Sequence, residues 1–270
     1  MKTPQVVAGA ALVSACLVPS VCEAQSTNDW KFEASLYAFL PTISGTSTFP
    51  PRQTSSSASV DIGTILDNLK MTFMGSFEAR RGQWGVLADV IYLDVGNTKE
   101  QSQALSLGGI GLPADVNAKV SFDLKGWVST LAATYRVIGD KDYTGDVVVG
   151  ARALNLRPSL NWYLTGNVAS IPVLDRQGSR ETDARNLDFI VGYKGRASIS
   201  PDGRWFVPYY LDIGTGESKL TWQAMAGVGY AFGWGDVVAS WRYIDYQMDS
   251  GKPLEELSFS GPVIAAVFRW

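Results

Sequence analysis

The chain has 270 residues, 23 Lys and Arg against 26 Asp and Glu for a net charge of −3, 46% hydrophobic residues and no histidine. That length suits one large domain or two small ones, and the mildly acidic balance argues against a nucleic-acid partner. A mean hydropathy of +0.03, with no apolar run of about 18 residues after the N-terminal segment, excludes membrane-spanning helices.

The chain begins with a stretch that reads as a secretory signal over residues 1–24. Lys2 supplies a positive start, Val6 to Val18 is apolar, and "CEA" ends on the small Ala24. Cleavage after Ala24 is the expected processing, leaving 25–270 as a single domain; lipoprotein processing at Cys16, in "VSAC", is the alternative. Cleavage after Ala24 removes both cysteines and with them any disulfide or thiol chemistry.

From Trp30 onward the dominant pattern has period two, rich in Tyr, Trp, Phe and Val and broken at Gly and Asp-Gly. "WKFEASLYAFL" sets Trp30, Phe32, Ala34 and Leu36 against Lys31, Glu33 and Ser35. "MTFMGSFEARR" sets Met71, Phe73 and Phe77 against Glu78 and Arg80, and "WGVLADVIYLD" sets Trp84, Val86 and Val90 against Asp89. In "KVSFDLKGWVSTLAATYRV" the parity changes between Leu124 and Trp127, which predicts a bulge near Gly126. "YTGDVVVGARA" sets Val147 and Val149 against Asp146 and Arg152, and "LDFIVGYKGRA" sets Phe189 and Val191 against Asp188, Lys194 and Arg196. "WFVPYYLDI", "LTWQAMAGVGYAF" and "GDVVASWRY" follow, the last setting Trp241 and Tyr243 against Arg242. Ile264, Ala266, Phe268 and Trp270 form the final apolar stripe.

These segments make about ten strands, with eight or twelve as alternatives. Short connections at Gly82, Gly139, Ser200 and Gly233 alternate with long ones over Pro41 to Lys70, Gly96 to Ala118, Pro158 to Asn186 and Gln247 to Glu256; "GTGES" is short where a long link is expected. The pattern predicts an all-β fold, a closed antiparallel up-and-down transmembrane β-barrel. A soluble sandwich also alternates, but two features separate them. The polar face carries Lys31, Glu33, Glu78, Arg80, Asp89, Asp146, Arg152, Asp188, Lys194, Arg196 and Arg242 well inside strands, six cations and five anions that could pair across a narrow lumen. Trp84, Tyr143, Trp205, Phe232 and Trp234 lie beside the short turns, where an aromatic girdle belongs.

The C-terminal stripe of Ile264, Ala266, Phe268 and Trp270 resembles the closing strand of Gram-negative outer-membrane β-barrels, and "DIGTILDNLKMTFMGSFEARRGQWGVLADVIYLD" looks like uncharacterised proteobacterial barrel proteins. The resemblance implies outer-membrane lipid as surroundings, export through the periplasm, and recognition of that stripe by the barrel assembly machinery. Pro262 departs from a regular strand and suggests a strand start or a bulge. Within "VDIGTILDNL", helical spacing of Ile62, Ile65, Leu66 and Leu69 allows a short helix capped by Asp61, either packed on the rim or folded into the mouth.

No catalytic, cofactor or metal site emerges. The lack of histidine excludes a Ser–His–Asp or Cys–His centre and the usual histidine-containing zinc site, and known small barrel enzymes of the resembled class depend on a histidine base. No Walker loop, dinucleotide fingerprint or EF-hand spacing is present. Loop carboxylates at Asp175, Glu181, Asp183, Asp249, Glu255 and Glu256 leave carboxylate-only catalysis open, although solvated loop charge explains them as well. Three functions fit: a narrow, charge-lined porin-like or structural barrel; a surface protein of the opacity type, acting through long loops such as "SGTSTFPPRQTSSSAS"; and a soluble lipocalin-like binding barrel.

Overall fold

A computed structural model describes residues 29–47, 56–60, 62–101, 106–107, 110–111, 116–168, 171–172, 176–181, 184–249 and 255–270. The expected leader, with Cys16 and Cys22, lies outside them, as do Asp175 and Asp183. In chain order the elements are β1 (Trp30–Phe39), β2 (Thr42–Ser47), β3 (Ser56–Val60), α1 (Ile62–Asp67), β4 (Leu69–Arg81), β5 (Trp84–Gln101), β6 (Ser106–Leu107), β7 (Ile110–Gly111) and β8 (Val116–Gly139). They continue with β9 (Tyr143–Val168), β10 (Ile171–Pro172), β11 (Arg176–Glu181), β12 (Ala184–Ser198), β13 (Trp205–Gly216), β14 (Leu220–Ala231), β15 (Asp236–Gln247) and β16 (Glu256–Arg269).

Ten strands form an antiparallel barrel in the order β1, β4, β5, β8, β9, β12, β13, β14, β15, β16. β16 closes it by pairing back to β1, with Glu33 opposite Arg269 and Phe39 opposite Val263. The turns at one end are tight, and two need left-handed backbone at glycine, Gly82 at φ 60° and Gly203 at φ 68°. At the other end β2 and β3 form a hairpin that carries the sheet on beyond β1 and β16, and β11 pairs along the upper part of β9.

Period-two alternation places every outward set on the outside of this cylinder. Phe189 is 72% exposed, Leu131 63%, Ile264 60% and Val149 55%, while inward Arg152 and Asp188 are 0% exposed. A continuous apolar ring around a closed barrel is stable only where hydrocarbon replaces water. No helix of the described residues is long and apolar enough to cross a membrane; the strands do so. At the short-turn end the rings touch in series: Trp205 with Tyr230, Tyr230 with Phe232, Phe232 with Trp234 and Trp234 with Phe268, at centroid separations of 4.7–5.8 Å. Phe32 stacks on Trp270 at 5.9 Å, and the two residues exchange backbone hydrogen bonds of 2.8 and 3.1 Å. A second aromatic level, Tyr92 on Trp127 and Trp222 on Tyr243, sits toward the long-loop end.

Several local expectations are corrected. β8 has no bulge at Gly126, which pairs in register with Leu93 and Leu156. Leu124 instead packs inward against an apolar cluster, while Trp127 and Leu131 face out; the register shift lies at Arg136/Ile138. β5, β8 and β9 run well into the segments read as loops, β9 passing through Pro158. Pro262 is neither a strand start nor a bulge in the β15–β16 pairing, where it faces Trp241 in register. It lies where β1 breaks into β2: Leu40 N–H donates to its carbonyl at 3.0 Å, and its missing N–H faces the same break. Neighbouring Gly261 is required there, since a Cβ would lie 2.2 Å from the Leu40 carbonyl oxygen. α1 exists, and two of its apolar side chains part ways: Ile65 is buried in the cluster inside the barrel, whereas Leu66 is exposed.

Candidate functional site: the barrel interior

The lumen is layered along its axis, because successive inward positions of each strand climb from the short turns to the long loops. At the short-turn mouth, Arg269 Nε donates to Glu33 Oε2 at 2.7 Å and its Nη1 pairs with Asp236. Arg196 Nη1 donates to the same Asp236 at 3.1 Å, and its guanidinium lies 3.6 Å above the Phe206 ring. Lys31 stands exposed at this rim.

One level in, Glu78 accepts from Lys194 and from Arg80 Nη2, the latter at 2.5 Å. Arg80 also reaches Asp146 at 2.5 Å, and Arg136 donates to both Asp146 oxygens at 2.6 and 3.1 Å. Next comes Arg242, which donates to Asp89 at 2.7 Å, Gln223 at 3.0 Å and Tyr37 at 3.1 Å, while the Tyr37 hydroxyl donates to Asp89 at 2.7 Å. Together these levels line a cavity of about 800 Å³ that begins at the β1 and β16 ends, near Lys31 and Trp270, and reaches inward to Asp89 and Arg242.

Beyond Arg242 the interior is filled. Across β12 to β14 the filling is polar. Arg152 pairs with Asp212, both with fully buried side chains, and reaches Thr221. Asp188 accepts from the Ser218 backbone at 2.7 Å, and Asn186 donates to the Ser218 hydroxyl at 2.7 Å. Across the other strands it is apolar: Phe39, Met74, Ile91, Val128, Leu154, Ile244, Tyr246 and Phe259 form one buried cluster, with Ile65 of α1 over it. The void left among these residues is about 20 Å³, room for roughly one water.

The eleven charges singled out in the sequence lie on the lumen side, yet in separate groups: Lys31 at the rim; Glu33 with Arg269 and Arg196 with Asp236 at the mouth; Glu78, Arg80, Asp146 and Lys194 together; Asp89 with Arg242; Arg152 beside Asp188. Arg136, Asp212, Asp236, Arg269 and Gln223 belong to the same constellation and were missed, while Tyr37 shares the polar face of β1 with Lys31, Glu33 and Ser35. Asp212 and Asp236 alternate with Leu211 and Val237 and were legible by parity, as Arg269 was between Phe268 and Trp270; Arg136 was hidden by the shift beside it. No group of three or more metal-ligating side chains occurs among the described residues. The arrangement sets paired charges around an open cavity at the short-turn end and packed side chains beyond Arg242.

Ring closure, apolar belt, aromatic girdle and charged interior define an integral β-barrel of the Gram-negative outer-membrane type. No family model and no curated protein matches the chain. Solved structures it resembles include the outer membrane protease OmpT of Escherichia coli, at TM-score 0.49 and 8% identity, covering 90% of this chain and 97% of that one. Ail, the attachment invasion locus protein of Yersinia pestis, resembles it at 0.32 and 9%, covering 89% and 98%. The toluene transporter TbuX of Ralstonia pickettii does so at 0.28 and 11%, covering 89% of each. Likenesses this distant say nothing about what the chain does.

Proposed function

We propose that the protein is a closed, non-conducting outer-membrane barrel with a structural or solute-holding role, and that it is neither a porin nor an enzyme. The filled layer from Phe39 through Leu154 and Ile244 to Arg152 and Asp212 carries this reading. An ion crossing it would have to displace packed apolar side chains and break a fully buried ion pair, each costing several kcal/mol. The short turns of such barrels face the periplasm, so the open cavity is a periplasmic vestibule. Planar-bilayer recordings of the purified protein test it: a flat current is expected, and steady unitary steps would contradict it.

A second reading, binding of a partner at the cell surface, is favoured by one observation. β9 has 26 residues and β8 has 24, whereas about 9–11 cross a bilayer, so a paired sheet continues far past the belt. Shortening β8 and β9 in register beyond the belt should abolish surface attachment to host or neighbouring cells if this sheet is the working part, and leave it unchanged if it is not.

A further inference from the structure

The vestibule has two unlike walls. One is apolar, built by Phe206, Val238 and Val267 near the mouth and by Met225 and Val263 further in. The other carries ion pairs, in several of which the cation is the more exposed partner. The Arg136 side chain is 31% exposed against 2% for Asp146. Arg196 is 27% exposed and Arg269 42%, against 3% for the Asp236 they share. Asp146 and Asp236 are hidden behind the cations that hold them, and although Glu33 stays open beside Arg269 at 37%, a solute entering from the short-turn end meets guanidinium edges.

Those edges keep donor capacity. A guanidinium has five N–H bonds. Arg136 directs Nε and Nη2 to Asp146, and Arg269 directs Nε and Nη1 to Glu33 and Asp236, which among the described residues leaves Nη1 of the first and Nη2 of the second for another acceptor. Ser240 Oγ, also on the cavity wall, is buried without a partner among the described residues. A volume of about 800 Å³ is that of a small-molecule site, and the dead end means that what enters is held.

We propose that the vestibule binds a small amphipathic monoanion, a carboxylate or sulfonate on an apolar body, entering from the short-turn side. The head group sits among Arg136, Arg196 and Arg269, and the body lies along the half-buried Pro208, Met225 and Ala265 of the cavity lining. This extends the closed-lumen reading, since a pore would pass such a solute where a blind cavity retains it.

The test is a fluorine NMR titration of the full barrel in lipid nanodiscs with 4-(trifluoromethyl)benzoate, its uncharged benzamide and the cationic benzylamine, with empty nanodiscs as the blank. Benzoate should bind at least about tenfold more tightly than the benzamide, the effect of one charge-assisted hydrogen bond, and the benzylamine more weakly still. Ala265→Trp, which lays an indole across the apolar lining, should weaken benzoate binding. The double variant Arg196→Gln, Arg269→Gln should bind benzoate and benzamide alike. Heat-modifiable gel migration reports whether each variant is folded; should either fail to fold, the ranking on the native chain decides alone. Equal affinities for benzoate and benzylamine, or signals matching empty nanodiscs, would overturn the proposal. Silent bilayers without benzoate binding refute this inference and spare the closed lumen; unitary conductance with benzoate bound does the reverse.

Discussion

Replacing Arg152 by methionine should be among the most damaging single changes in this barrel, and the reason is an imbalance of charge. Arg152 and Asp212 have fully buried side chains, and Asp188, opposite Arg152 on the neighbouring strand, is 0% exposed as well. The trio carries one cation and two carboxylates, a net charge of −1. Arg152→Met preserves much of the volume but leaves two buried carboxylates unneutralised, for which about 3–5 kcal/mol is the expected loss. Asp212→Asn has the opposite effect on the count, leaving Arg152 beside Asp188 at net zero, and should cost only about 1–2 kcal/mol, the loss of one charge-assisted bond. Urea unfolding in detergent micelles, followed by tryptophan fluorescence, gives both numbers. Equal losses for the two variants, or a loss under about 1 kcal/mol for Arg152→Met, would refute the charge argument.

Three further changes probe other parts of the structure. Phe189→Arg, at the most exposed belt position, should cost about 2–4 kcal/mol in lipid vesicles if that position lies at the bilayer midplane; an unchanged midpoint would place it outside the hydrocarbon. Gly261→Ala forces a methyl group to within 2.2 Å of the Leu40 carbonyl and should cost about 1–3 kcal/mol in the same unfolding assay; wild-type stability would show that the β1–β2 break can yield. Trp270→Ala should lower the amount of barrel assembled in cells while leaving detergent refolding nearly intact; equal deficits in both would assign Trp270 to its stacking on Phe32 instead of recognition by the assembly machinery.

The outer surface was legible in the sequence because lipid demands apolar residues at every second position, and Val149, Phe189, Trp241 and Ile264 keep strict parity. The lumen was legible where charges mark the inward positions, in the lower half and at Arg152 and Asp188 above it. Higher up the inward residues Ile91, Val95, Val128, Leu154 and Leu156 are apolar too, so both faces of each strand look alike and alternation carries no signal. That is why the inward Leu124 suggested a bulge that does not exist, and why a filled layer went unforeseen. The loop boundaries failed for a related reason: polar residues and Pro158 in the extensions of β5, β8 and β9 resemble loop composition, whereas strand pairing beyond the membrane tolerates both. α1 was found from its spacing, but spacing could not tell which of Ile65 and Leu66 would turn inward.

The division of the lumen into an open vestibule and a filled layer can be measured along the barrel wall. Both cysteines of the chain, Cys16 and Cys22, precede the barrel, and residues 25–270 contain none, so single cysteines in a barrel produced from residue 25 onward report cleanly. In folded protein, Ala265→Cys on the vestibule wall should react with a water-soluble methanethiosulfonate, Val128→Cys in the filled layer should stay unmodified, and Val191→Cys on the belt should yield only to a lipid-soluble maleimide. Reaction of Val128→Cys as fast as Ala265→Cys would mean that water runs through the barrel, and the closed lumen would have to be abandoned.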